Sequence, residues 1–346
     1  MGGCMTGMPT SRTSRREWLR GLAALAAMPA VARPVVAAAA GGKPIRGVMM
    51  ILNTPFTAAG EVDWDDLVNE VRFVDRHGCQ GIVWPQGSSG VATLTREERR
   101  HGMDLLARTC RDLRVACVLG VQGKDSGEML EYASYAESLG PDALIAMPPT
   151  SGRSVDDYRA YFRALAGVTR RPVIQQTSGG ARDLPLATDL ILELAREFPH
   201  LGYVKEESAP IVERMRRELA ARPVMTGIFG ASFASGWLLE MRMGLDGVIT
   251  GESMYADLMG KIWRAHEGGR HAEARDGYSR YLLMRNLNEQ IPNVDLYVLR
   301  KRGIFKTMFT RRGQSGGTRV AEPQFPADVV AEIEDRLAAV IAWTGE

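Results

Sequence analysis

Val48-Met49-Met50-Ile51-Leu52-Asn53-Thr54-Pro55-Phe56 is an unbroken apolar run that ends in a polar turn, and its reading decides the fold. Five consecutive apolar residues before a turn read as a strand buried on both faces, the kind that sits in a parallel sheet covered by helices. Two architectures are built that way, an open doubly wound sheet and a closed (β/α)8 barrel. The open sheet usually carries a glycine-rich phosphate turn after its first strand. Asn53-Thr54-Pro55-Phe56 has no glycine and cannot cradle a phosphate, so the stretch favours the barrel.

The same unit repeats along the chain. Short runs rich in Val, Ile and Leu recur at 81–84, 115–119, 143–147, 172–176, 201–205, 224–229 and 246–250. Helical periodicity fills the gaps. Residues 63–77 place Trp64, Leu67, Val71 and Val74 at three- and four-residue steps. Residues 95–110 open on Thr95-Arg96-Glu97-Glu98, a capping box. Residues 126–139 and 154–168 start on serine, and 185–197, 209–221, 233–243 and 255–267 complete the set. Strand and helix alternate eight times, at a spacing of roughly 22 to 34 residues. This predicts an α/β chain with a (β/α)8 TIM barrel over 41–268. Helical runs at 271–290, 294–302 and 326–343, interrupted by a Gly-, Arg- and Ser-rich loop at 310–318, predict a C-terminal helical extension over 269–346.

Residues 1–40 stand outside that pattern. Arg15-Arg16 precede a short alanine-rich run from Gly21 to Met28, with small-residue cleavage candidates at Ala30-Val31-Ala32 and 37–40. The paired arginines resemble a twin-arginine signal peptide. That implies export by the twin-arginine machinery and a periplasmic mature protein. Residues 1–40 carry five arginines and one glutamate, so without them the formal charge falls from +2 to −2. A near-neutral chain gives no electrostatic case for nucleic acid or an anionic membrane. Cys4 leaves with the signal. Cys79, Cys110 and Cys117 make no disulfide framework and no zinc spacing, and inert buried thiols are the favoured reading over one disulfide. No metal-ligand cluster or nucleotide loop is present in the sequence, so no cofactor is predicted.

A barrel's chemistry sits at the C-terminal ends of its strands. There the sequence places Asn53-Thr54, Pro85-Gln86-Gly87-Ser88-Ser89-Gly90, Gln122, Gln175-Gln176, Lys205 and Thr250-Gly251-Glu252. Lys205 closes the apolar strand in Leu201-Gly202-Tyr203-Val204-Lys205-Glu206-Glu207-Ser208. Burial lowers a lysine's pKa and frees its amine to attack a carbonyl. The octapeptide alone favours a lysine that reaches solvent or pairs with Glu207. Strand alternation sends Glu206 to the opposite face and Glu207 to the lysine's face, unless the loop turns Glu207 away. Gly87-Ser88-Ser89-Gly90 has the composition of a small anion-binding nest or of an ordinary loop.

Together, Asn53-Thr54-Pro55-Phe56, Gly87-Ser88-Ser89-Gly90, Ala92-Thr93-Leu94-Thr95-Arg96-Glu97-Glu98-Arg99 and Val204-Lys205-Glu206-Glu207-Ser208 resemble the dihydrodipicolinate synthase / N-acetylneuraminate lyase family over about residues 45–305. The resemblance implies a (β/α)8 barrel with C-terminal helices, a homodimer or homotetramer, and class I chemistry on a 2-oxo acid such as pyruvate or a sugar-acid derivative. It makes Lys205 the Schiff-base lysine. Ser88 and Ser89, supported by Thr54, Gly87 and Gly90, become the carboxylate site. The chain also departs from the family pattern. Gln176 stands where the family's strand-five tyrosine relays protons, Val91 where the turn usually ends in glutamate, and Pro148-Pro149-Thr150-Ser151 where interface tyrosines often occur. Arg182 is an uncertain match to the arginine after strand five. A glutamine amide is no acid or base at neutral pH, so proton transfer falls to the substrate's own carboxylate, Glu207, Glu252 or Tyr255. The expected function is a class I aldolase- or dehydratase-type lyase. The alternative is a periplasmic carboxylate-binding protein on the same barrel.

Overall fold

Buried apolar strands of four or five residues cannot stand alone, and in the computed structural model they close on one another. The structure describes residues 42–312 and 319–346. The strands are β1 Gly47–Ile51, β2 Gly81–Trp84, β3 Ala116–Gly120, β4 Ala143–Ala146, β5 Val173–Gln176, β6 Tyr203–Lys205, β7 Gly227–Gly230 and β8 Gly247–Thr250. They form one closed barrel in sequence order, every pair parallel. At the seam Gly47 pairs with Gly247. A Cβ on Gly247 would lie 1.9 Å from the Gly47 carbonyl oxygen, so only glycine lets the first and last strands meet there.

Side chains alternate between two cores. Met49, Val83, Val118, Ile145, Ile174 and Phe229 fill the barrel interior. Val48, Met50, Ile82 and Trp84 point outward beneath the helices. Those helices are α1 Trp64–Arg76, α2 Arg96–Cys110, α3 Ser126–Leu139, α4 Val155–Val168, α5 Thr188–Glu197, α6 Ile211–Ala220, α7 Trp237–Met243 and α8 Ala256–Glu267. Local chemistry starts several of them. Asp63 caps α1 by accepting from the Asp66 amide, and Thr95 and Ser154 make reciprocal capping boxes with Glu98 and Asp157.

The extension follows as α9 His271–Gln290, α10 Val294–Lys301 and α11 Ala327–Thr344. α9 packs against α8 and α11. Arg302, just past α10, makes two 2.9 Å bonds to the Asp257 carboxylate of α8. No described helix is long and apolar enough to cross a membrane.

The sequence reading differs from the structure in two of its elements, and one expectation falls outside the described residues. The loop expected at 310–318 is framed by two short antiparallel strands, β9 Thr310–Arg312 and β10 Arg319–Ala321, and residues 313–318 lie outside the described residues. The export signal predicted at 1–40 also lies outside them. The helix expected at 233–243 starts only at Trp237, because Ser232, Phe233 and Ala234 take φ of 51°, 52° and 57°. Left-handed backbone costs a non-glycine residue roughly 1–2 kcal/mol. Tyr278 of α9 holds that turn by donating to the Ala234 and Ser235 carbonyls at 2.8 and 2.6 Å, and Tyr281 donates to the Phe233 carbonyl. Cys79, Cys110 and Cys117 are free and buried, in keeping with inert thiols.

Candidate active site

The β5–β6 register pairs Gln176 with Lys205, so both side chains leave the same face at the C-terminal mouth. Tyr203 and Ile174 lie one step below them in the barrel interior. Only 5% of Lys205 is exposed. Its Nζ donates to Glu207 Oε1 at 3.0 Å. Burial pushes the lysine's pKa below its usual value, and Glu207 opposes that shift without cancelling it.

Glu207 is the centre of the cluster. Its Oε1 accepts from Lys205, from Gln176 Nε2 at 2.8 Å and from the Ser178 hydroxyl. Gln176 Nε2 also reaches Ser178 Oγ at 2.9 Å. Burial alone would raise the Glu207 carboxyl. Lys205, Ser178 and Gln176 outweigh it and leave the carboxyl below its usual range. The alternation expected of strand six therefore holds past its end. Glu207 shares the lysine's face, while Glu206 turns outward to Arg214 Nε of α6 at 2.9 Å, Thr177 Oγ1 at 2.8 Å and the Ser208 amide at 2.7 Å. That outward anchor fixes the backbone from which Glu207 projects inward.

The turn after β2 forms a second cluster on another arc of the rim. Thr54 Oγ1 donates to the Ser89 carbonyl at 2.6 Å and accepts from Trp84 Nε1 at 3.1 Å. Ser89 is buried, and its Oγ accepts from the Gln86 amide at 3.1 Å. The Ser89 and Gly90 amides donate to the Gln86 and Gly87 carbonyls at 3.0 and 2.9 Å, so these two close the turn rather than opening it as a nest. Ser88 is exposed and faces Gly251 at the end of β8, where a Cβ would stand 2.9 Å from Ser88 Cβ. The turn thus offers the Ser88 hydroxyl at the rim. Between β2 and β5 the rim opens into a cleft of about 530 Å³ lined by Val91, Arg99, Gln122, Lys124, Met147 and Gly179, the last being the neighbour of Ser178.

The other proton-transfer candidates lie elsewhere. Glu252 turns to Asn288 Nδ2 at 3.3 Å and Arg285 Nε at 3.9 Å on α9, and burial pushes its carboxyl up to about 8. Tyr255 is buried edge-on against Tyr281, with ring centroids 6.3 Å apart. Arg182 is exposed. Ser178 was missed in the sequence, although it stands two residues beyond Gln176 and alternation puts it on the same face.

Comparison with known proteins bears on the fold and the family. The Dihydrodipicolinate synthetase family profile matches residues 44–311. The 4-hydroxy-tetrahydrodipicolinate synthase of Chlorobaculum parvum is 31% identical over 259 residues, covering 70% of this chain and 82% of that protein. The Rhizobium meliloti enzyme of the same name is 27% identical over 54% of this chain, and the match spans 63% of that protein's length. Among solved structures, the dihydrodipicolinate synthase of Acinetobacter baumannii complexed with pyruvate shares the fold, with TM-score 0.72 and 20% identity over 87% of this chain and 99% of that one. The profile match over most of the chain, together with the relative that is 31% identical over 82% of its length, leads to one statement: the chain belongs to the dihydrodipicolinate synthetase family.

Proposed function

We propose that this protein is a class I lyase, of aldolase or dehydratase type, in which Lys205 forms a Schiff base with a 2-oxo acid such as pyruvate or a sugar-acid derivative. The carrying observation is a lysine 5% exposed at the mouth of an apolar barrel, its pKa lowered by burial. A lowered pKa populates the neutral amine, the form that attacks a ketone. The adduct loses water to an iminium. The iminium draws electrons from the neighbouring carbon, which is what C–C cleavage or loss of a β-hydroxyl requires. The pyruvate in the Acinetobacter structure supports the choice of ligand class. On this reading Ser88, with Ser89 and Thr54 behind it, receives the substrate carboxylate.

The second reading, a periplasmic carboxylate-binding protein, is favoured by Gln176, whose amide cannot relay a proton. The two separate in one experiment. Borohydride added with pyruvate, 2-oxobutyrate or a 2-oxo sugar acid should leave a covalent adduct on wild-type protein by intact mass. Lys205→Ala should lose it, and Lys261→Ala, whose amine is bound to the Trp343 carbonyl at 2.6 Å, should keep it. Binding of any of these acids without an adduct on Lys205 selects the binder. The protein on this reading acts as a homodimer or homotetramer in the periplasm, delivered by the twin-arginine signal around Arg15-Arg16. Changing both arginines to lysine should leave uncleaved protein in the cytosol; an unchanged periplasmic pool would rule that signal out.

A further inference from the structure

We infer that Glu207 is the acid–base residue of this site and takes the place of a tyrosine relay. The inference rests on the Schiff-base reading of Lys205 and adds to it the group that moves the protons.

The geometry points to one carboxylate. Any proton-transfer group must stand within about 3 Å of the atoms that gain and lose protons. Glu207 Oε1 is 3.0 Å from Lys205 Nζ, which itself becomes the iminium nitrogen. Glu252 is held toward α9 by Asn288, and the Tyr255 ring packs on Tyr281 with its hydroxyl buried; among the described residues neither bonds to Lys205 or Glu207. Gln176 sits at the relay position and contributes donors only: its Nε2 goes to Glu207 Oε1 at 2.8 Å and to Ser178 at 2.9 Å. Glutamine and serine thus act as positioning residues. They hold one oxygen of a carboxylate beside the amine, at the same register level where the strand-five side chain would otherwise do the work.

The proton count closes within this pair. An ammonium facing a carboxylate holds one proton; it rests on Nζ, since the Glu207 carboxyl lies below its usual range, and reaches Glu207 only as the amine goes on to attack. Transfer from Nζ to Glu207 gives a neutral amine and a carboxylic acid, with no net charge moved in or out of the buried site. The amine's lone pair then forms the C–N bond to C2 of the 2-oxo acid, and the ketone oxygen takes up a proton from the attacking nitrogen. The acid form of Glu207 protonates the resulting hydroxyl. The C–O bond breaks, water leaves, and an iminium forms opposite a carboxylate. That carboxylate, now a base, removes a proton from C3; the C–H electrons form the enamine and the nitrogen becomes neutral. Glu207 ends protonated and returns that proton to C3, which is exchange, or gives it to a β-hydroxyl as that group leaves; in C–C cleavage it instead takes the proton of the C4 hydroxyl from the iminium, the C3–C4 electrons form the enamine, and Glu207 then delivers that proton to C3. No oxidant, metal or second cofactor is needed.

The test separates this inference from the reading beneath it. Exchange of the C3 hydrogens of pyruvate with deuterium oxide needs both the iminium and a base at C3, whereas borohydride trapping needs the iminium alone. Glu207→Gln keeps the volume and the hydrogen bond from Lys205 but cannot accept the C3 proton. Given a pre-incubation long enough for water to replace Glu207 as the acid of the dehydration, it should still be trapped on Lys205 with pyruvate, with C3 exchange at least about 100-fold slower than wild type, the lower end of general-base contributions. Glu207→Ala should behave alike, and added formate, a carboxylate small enough for the space, should restore part of its exchange. Exchange in Glu207→Gln within tenfold of wild type, with trapping intact, overturns the role of Glu207 and leaves the Schiff-base reading standing. Absence of trapping in wild type with pyruvate and 2-oxobutyrate overturns both.

Discussion

Glu70 offers a stability test that follows from where the barrel seam is tied. It lies on α1, fully buried, and its Oε1 accepts from the Asn53 amide and Asn53 Nδ2, both at 3.0 Å, and from the Ser253 hydroxyl. One carboxylate therefore joins the chain after β1 to the chain after β8. Burial pushes its pKa from 4.5 to about 7, against the pull of those hydrogen bonds. A folded-state pKa above the unfolded one means that the folded protein binds the proton more tightly. The contribution is fully present below about pH 4.5 and disappears as pH rises through 7. Integrated from pH 5 to pH 8, the proton linkage removes roughly 2–3 kcal/mol of stability through this single group. Glu70→Gln keeps an oxygen acceptor for Asn53 and Ser253 but never ionises. Wild type and Glu70→Gln, unfolded in urea at pH 5 and at pH 8, should diverge by that amount in the mutant's favour at the higher pH. Parallel losses in the two proteins would show that Glu70 does not carry the titration.

Gly251→Ala would put a Cβ 2.9 Å from Ser88 Cβ, against an ordinary carbon contact of about 3.5–4.0 Å, and so displace the Ser88 hydroxyl. Losing one hydroxyl bond to a carboxylate costs about 1.5–3 kcal/mol, or about 10- to 150-fold in the Kd for pyruvate by calorimetry; Gly167→Ala on α4, whose Cβ would meet nothing within 4 Å, should leave it unchanged, and equal affinities in the two variants would refute the carboxylate role of Ser88. Arg302→Ala leaves the Asp257 carboxylate buried and unpaired, and should cost about 3–5 kcal/mol in urea unfolding; a loss under 1 kcal/mol would mean the pair does not anchor the extension.

What could be read from the sequence was what is local or periodic. The run 48–52 followed by Asn53-Thr54-Pro55-Phe56 needs only its own apolar pattern and the absence of glycine to indicate a barrel, and the capping box at Thr95 and Glu98 is spelled within four residues. Lys205 was legible because a charge ending an apolar strand breaks the pattern. What escaped depends on partners distant in the chain. The left-handed turn at Ser232, Phe233 and Ala234 contains no glycine, and it is held by Tyr278 and Tyr281 from a helix that starts 37 residues after Ala234. Glu252 looks like a loop residue until α9 covers it with Arg285 and Asn288. The composition of the Gly87–Gly90 turn leaves an anion-binding nest and an ordinary loop both open. Its Ser89 and Gly90 amides are spent inside the turn, a matter of backbone angles that composition does not encode.

The Lys205–Glu207 pair itself argues between an enzyme and a binder. Burying two charges costs several kcal/mol per ion after relaxation, and well-packed apolar residues in the same volume often do as well or better for stability. A site that only held a carboxylate would gain from an ammonium pointed at the ligand, and a carboxylate 3.0 Å from that ammonium would compete with the ligand for it. Glu207 is moreover not left by chance. Gln176, Ser178 and Lys205 all converge on its Oε1, and Glu206 is clamped outward by Arg214 so that the next residue must face in. That arrangement works against binding of an anion and in favour of moving a proton between nitrogen, oxygen and carbon. It is the pattern expected where a lysine reacts and a neighbouring carboxylate has taken over the protons.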